Sequence, residues 1–393
     1  MQKKLIALAV AGLASTGAFA QANVTVYGIA DGSFDVVRVS NTNGNTDLGN
    51  TTRVSANSSY IGFKGAEALG NGLTAVFQFE NGVNFDAKGA LSANRDSFVG
   101  LSSANLGTVV LGNLTGPTRA LGTTLDVNAG AAGIGANSAL LGKLGSRLLG
   151  GTDANTSYAP NGGGRSSSSA SIFDTRWSNA IAYVSPTYYG LNVTAAYVAN
   201  ENKAYHNTAA VAAPLGSNTS GYDVGLKYAN GPILAAVTYN AVSLGSDAGA
   251  NVSDFRVGGS YDFGIATVRA LFDRTRGDHL NALFGAGKVT QNVFGLGGTF
   301  NVTPAGKILA QAYFASDEKA DGSSNKDTGA KLFELGYEHS LSKRTLLKAA
   351  YVHLNNDNNA RYDFGNGAVG LNTVAGTTGA TVQGVTLGLR HSF

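Results

Sequence analysis

Apolar and polar residues alternate almost one for one along most of this chain. In "LNVTAAY", Leu191, Val193, Ala195 and Tyr197 are separated by Asn192, Thr194 and Ala196. "YDVGLKY", "FRVGGSY", "ATVRALFD" and "FELGYEH" repeat the pattern further on. A period of two puts successive side chains on opposite faces of an extended strand. Sixteen segments carry it: 23–37, 54–65, 72–83, 95–103, 107–113, 175–185, 190–200, 221–229, 231–242, 253–263, 265–275, 290–301, 305–316, 331–341, 343–355 and 382–393.

Two all-β architectures fit such a pattern. A soluble sandwich turns its apolar face inward. A membrane barrel turns it out to lipid and keeps a polar lumen. Three features favour the barrel. The segments have the length of a tilted bilayer crossing, about nine to eleven residues. Aromatic residues recur at the ends of apolar faces, as at Tyr183, Tyr197, Tyr228, Tyr239, Tyr261, Phe300, Tyr337 and Tyr351, where membrane barrels carry aromatic girdles. The connectors alternate between short and long: turns such as "NGP" and "LSKR" are followed by long stretches, the longest at 114–174. The expected fold is an antiparallel sixteen-stranded transmembrane β-barrel, one domain over 21–393.

Residues 1–20, "MQKKLIALAVAGLASTGAFA", read as a secretory signal peptide: Lys3 and Lys4, an apolar stretch, then Ala18-Phe19-Ala20 as cleavage site. Without it, 26 basic residues face 25 acidic ones, a net charge of +1. That near-balance gives no sign of nucleic-acid binding. Only 13% of the residues are charged, yet mean hydropathy is zero, which fits interleaved apolar and polar positions. No cysteine is present, so neither disulfides nor thiol chemistry is available. No metal or cofactor is expected. The five histidines lack metal-ligand spacing, and neither G-x-S-x-G nor a complete phosphate loop occurs.

The 114–174 connector is too long for simple chain reversal, and long ordered loops are usually functional. Its leucines suggest a segment folded inward, with a short helix through Leu141, Leu144 and Leu148. Charges in or beside it, Arg119, Asp126, Lys143, Arg147, Asp153, Arg165, Asp174 and Arg176, are candidates for a transverse field at a constriction. Strand parity adds Lys64, Lys227, Arg256, Arg269, Lys348 and Arg390 on the inner wall, offset by Glu80, Glu334 and Glu338. The expected result is a weak anion preference.

Several stretches carry a family resemblance: "VTVYGIADGSFDVV", "SSYIGFKGAEALGNGLTAVFQFENG", "NRDSFVGLSSANLGTVVLGN", "LSKRT" and the terminal "GLRHSF". In these the chain resembles the general-diffusion porins of Gram-negative bacteria, in particular the trimeric porins of β-proteobacteria. The resemblance implies a homotrimer in the outer membrane, in contact with its lipid. Each subunit would have a water-filled pore for small hydrophilic solutes and ions, with the third long loop folded inward. It also implies that Phe393 is read by the outer-membrane barrel assembly machinery. Asn113 and Tyr60 stand where the family often has arginines, so the basic ladder of the constriction is expected to be thinner.

Overall fold

The alternating segments pair edge to edge into a single closed sheet. The computed structural model describes residues 23–43, 49–143, 173–199, 220–243, 251–279, 287–365 and 377–393. β1 (Asn23–Ser40) runs antiparallel to β2 (Gly49–Ser55) and to β3 (Tyr60–Gly70), which together make one interrupted strand. β3 pairs with β4 (Leu73–Asn84). β4 pairs at its far end with the short β5 (Ala90–Ser92) and along its length with β6 (Ser97–Ser103). Then follow β7 (Gly107–Thr115), β8 (Arg176–Val184), β9 (Leu191–Val198), β10 (Gly221–Asn230), β11 (Ile233–Ser243), β12 (Asn251–Asp262), β13 (Ala266–Asp278), β14 (Lys288–Asn301) and β15 (Gly306–Ala315). A small hairpin, β16 (Glu318–Ala320) and β17 (Ser323–Asn325), precedes β18 (Ala330–Ser340), β19 (Thr345–Asn356) and β20 (Thr381–Ser392). β20 returns to β1, with Asp35 opposite Thr386, and closes the barrel.

The sixteen expected strands are therefore present, and the barrel is closed and antiparallel. β2, β5, β16 and β17 were not expected as strands in their own right. They extend strands on the long-loop side, where "GNTTRVS" and "SSN" have no apolar face for a period-two reading to detect. The seven short turns lie at the opposite end. Between β3 and β4 the chain reverses through Asn71 and Gly72, with φ of 50° and 76°, a left-handed region that glycine enters without steric cost.

Burial follows parity. On β1, Asp31, Ser33 and Asp35 are buried inside while Phe34 and Val36 are exposed outside. Phe63, Phe79, Val99, Leu111, Ile181, Phe294, Leu335 and Leu387 continue the exposed apolar face on other strands. In water that face would be costly; in a bilayer it meets hydrocarbon. Phe393 continues the last ladder: its amide donates to Gly28 O at 3.1 Å, and Gly28 N–H donates to Phe393 O at 3.2 Å. The terminal ring lies against Gly28, where a Cβ would fall 2.5 Å from ring carbon Cζ.

Candidate functional site

The connector after β7 turns into the barrel. Helix α1 (Pro117–Leu125) starts with proline at its first turn, where a missing N–H is harmless. Leu121 and Leu125, one helical turn apart, are buried against the wall. Wall glycines let the helix approach: a Cβ on Gly225 would lie 2.6 Å from Pro117 Cβ, and one on Gly258 would lie 2.5 Å from Leu125 Cδ1. Beyond α1 the segment follows the inner surface. Asn128 bonds Glu334 on β18, Gly130 passes Arg390 on β20, and Asn137 bonds Tyr313 on β15. Gly142 N–H then donates to Asp273 on β13 at 2.9 Å. The helix expected through Leu141, Leu144 and Leu148 falls almost wholly outside the described residues. Leu141 and Lys143 sit in a turn, and 144–172 lies outside the described residues.

This segment covers the acidic part of the wall. Asp223 on β10 accepts bonds from the amide and hydroxyl of Thr118, the latter at 2.6 Å. Arg256 on β12 donates to Thr118 O at 2.9 Å and to Asp273 at 3.0 Å, and lies 3.5 Å from both Asp174 and Asp254. Asp126 accepts Asn137 N–H at 2.6 Å and Asn128 N–H at 2.7 Å. Gln311 on β15 bridges Asp126 and Glu334. Burial raises the Asp126 carboxyl to about 6 despite these bonds. Burial likewise lowers the Lys143 ammonium to about 8; it sits 5.6 Å from the Tyr362 ring.

Three expected pore-lining charges are therefore corrected. Asp126, Lys143 and Arg256 are 4%, 1% and 0% exposed. Asp126 and Arg256 fasten the loop to the wall, and the Lys143 ammonium is buried near the Tyr362 ring. Parity placed Arg256 correctly on the inner face, but could not show that the loop would lie on top of it.

Elsewhere on the inner wall, on β1 to β8 and on β19 and β20, the charges that keep contact with water are mostly basic. Arg53 pairs with Asp35, Arg95 with Glu80, Arg176 with Asp96, and both Lys348 and Arg390 with Asp31. In all but the Arg176 pair the base is the more exposed partner: 20% against 1% for Arg53 and Asp35, and 15% against 0% for Arg390 and Asp31. Arg119 bonds the carbonyl of Asp174, and its charge is felt at Arg176. Lys64 stands over the Tyr27 ring, 4.8 Å from its centroid. Arg269 is on the inner face of β13, half-buried. Arg147 and Asp153 fall outside the described residues.

Arg95 is the residue the sequence reading missed. Its guanidinium lies 4.1 Å from the centroid of the Tyr60 ring, a cation–π arrangement. Asn113 donates to the Arg95 carbonyl at 2.7 Å. The two residues expected to thin the basic ladder thus hold a different arginine beside it. The charges of Arg95, Arg176 and Arg390 all bear on the Tyr60 phenol.

A closed barrel with a lipid-facing apolar surface, a polar interior and a loop lining part of that interior defines an outer-membrane channel. The profile of the Gram-negative porins matches residues 7–359, and the chain belongs to that family. The outer membrane porin protein 32 of Delftia acidovorans is 31% identical over the full length of both chains. The major outer membrane protein P.IB of Neisseria lactamica is 27% identical, again over the full length of both. Among solved structures, an anion-selective porin from Comamonas acidovorans superposes with a TM-score of 0.73 at 26% identity, covering 95% of this chain and all of that one. The trimer form of Vibrio cholerae OmpT, 14% identical with a TM-score of 0.61, shares the fold. The protein is an outer-membrane porin, a channel for passive diffusion.

Proposed function

We propose that this porin passes small hydrophilic solutes with a preference for anions, as one subunit of a homotrimer, and carries out no chemistry. One observation carries the preference: the loop buries the acidic wall groups Asp223, Asp254, Asp273 and Glu334, while arginines and lysines elsewhere on the wall keep contact with water. Ions entering the passage therefore meet positive charge at close range, between low-dielectric walls that strengthen its field. The constriction residues on this reading are Arg95, Arg119, Arg176, Lys64 and Arg390, with Arg269 at the margin. The similar porin from Comamonas acidovorans, itself anion-selective, supports the same sign. The trimer rests on the family resemblance.

Reversal potentials across planar bilayers in a KCl gradient test the preference. They should show chloride favoured over potassium, less so at high salt as the charges are screened. Potassium selectivity would sink the reading. Conductance steps grouped in threes would support the trimer.

A further inference from the structure

The wall between the short-turn end and the loop has a composition that a water-filled lumen does not need. The inner positions of one row are Ala66, Val76, Gly100, Val110, Ala182 and Ala196, aligned across β3, β4, β6, β7, β8 and β9 by the strand registers. All are apolar. Phe98, one row above, and Leu114 join Ala66, Val76, Val110 and Ala182 of that row around an open cavity of ≈ 690 Å³. Lumen-facing positions of membrane barrels are normally polar, and apolar surface left in water is costly unless something covers it.

The cavity is also lined by Thr25, Gln78, Thr194 and the members of two bonded pairs. Ser102 and Thr108 bond each other at 2.8 Å, and Asp96 is held by Arg176 and Thr115. Lys64 is different. It lines the same cavity, is exposed, and has no ion-pair partner among the described residues.

We propose that this shelf is a binding station for amphipathic monoanions, in particular straight-chain monocarboxylates with a tail long enough to reach from Lys64 across Val76, Phe98 and Val110. Their tails would cover Val76, Phe98 and Val110, and their carboxylates would pair with Lys64. The tail follows from the apolar lining, which gains cover from water as methylenes settle on it. The charge follows from the Lys64 ammonium, which has the Tyr27 ring but no carboxylate as its partner among the described residues. A solute held there passes from the constriction to the short-turn end by exchange along the shelf, so its flux saturates. The proposal rests on the lumen being the conducting path.

The test is block of KCl current by sodium hexanoate, with acetate and hexanol as controls, on the full chain in planar bilayers. Hexanoate should reduce the current saturably. Acetate, lacking the tail, and hexanol, lacking the charge, should not. Phe98→Ser should raise the half-blocking concentration about tenfold, the loss of one aromatic contact. Val76→Thr, which keeps shape and strand preference, should raise it in the same direction. Lys64→Gln should abolish the advantage of hexanoate over hexanol. Current without additive, read in the same bilayers, reports separately on the channel itself. Normal current with no saturable hexanoate block, equal block by hexanol, or block unchanged in both apolar variants overturns the shelf alone.

Discussion

At the residue scale, the same kind of side chain does two jobs depending on what lies over it. Arg256 and Arg390 both sit on the inner face, but one is sealed beneath the loop and the other faces water. Removing one partner of a buried ion pair costs about 3–5 kcal/mol, because the other charge is left uncompensated. Arg256→Met leaves Asp273 and Asp254 in that position and frees Thr118 O. It should lower the thermal midpoint of the barrel and raise single-channel conductance; unchanged values of both would refute the anchoring role. Asp126 adds a pH dependence. Its folded value, about 6, lies above its unfolded value near 3.8, so protonation favours the folded state. Its contribution to stability therefore grows as pH falls from about 6 to about 4, by up to about 3 kcal/mol, and is lost above 6. In Asp126→Asn the pH dependence of the melting temperature over that window should flatten. Inner-face parity was legible for Lys64, Arg256, Arg269 and Arg390, because period two encodes it. Burial was not, because it is decided by a segment from another part of the chain. Arg95 escaped for a similar reason: Tyr60 and Asn113, 35 and 18 residues away, give it its position.

At the element scale, α1 holds its place through shape as much as charge. Gly225 and Gly258 leave the space into which Pro117 and Leu125 fit. Gly225→Leu, whose side chain would meet Pro117 and no strand backbone, should push the helix off the wall and widen the passage, giving larger conductance and faster flux of bulky solutes with the barrel still folded; wild-type conductance would count against this docking. The strands were the most legible elements, since lipid outside and water inside enforce alternation along each crossing. Their extensions, β2 and the β16–β17 hairpin, are mostly polar in sequence and so carry no such signature. α1 carries little signal of its own, because its nine residues give only two buried leucines at helical spacing.

At the scale of the whole molecule, closure depends on β20 meeting β1. Deleting Phe393 removes two backbone bonds to Gly28 and the ring that covers it. The yield of folded barrel in outer membranes should fall far more than the conductance of those barrels that form; normal yield would argue against a role for that residue in assembly. The seam has a further consequence for how the channel comes into being. Asp35 and Thr386 bond across 351 residues of chain, so this contact cannot form early and belongs to the slowest class of topological events. Asp31 on β1 is also the shared partner of Lys348 on β19 and Arg390 on β20. Before the edges meet, those two cations lack their counter-charge and the passage lacks its charge pattern. Sealing and selectivity thus arrive in one step: an unfinished barrel is not a leaky version of this filter, but no filter at all.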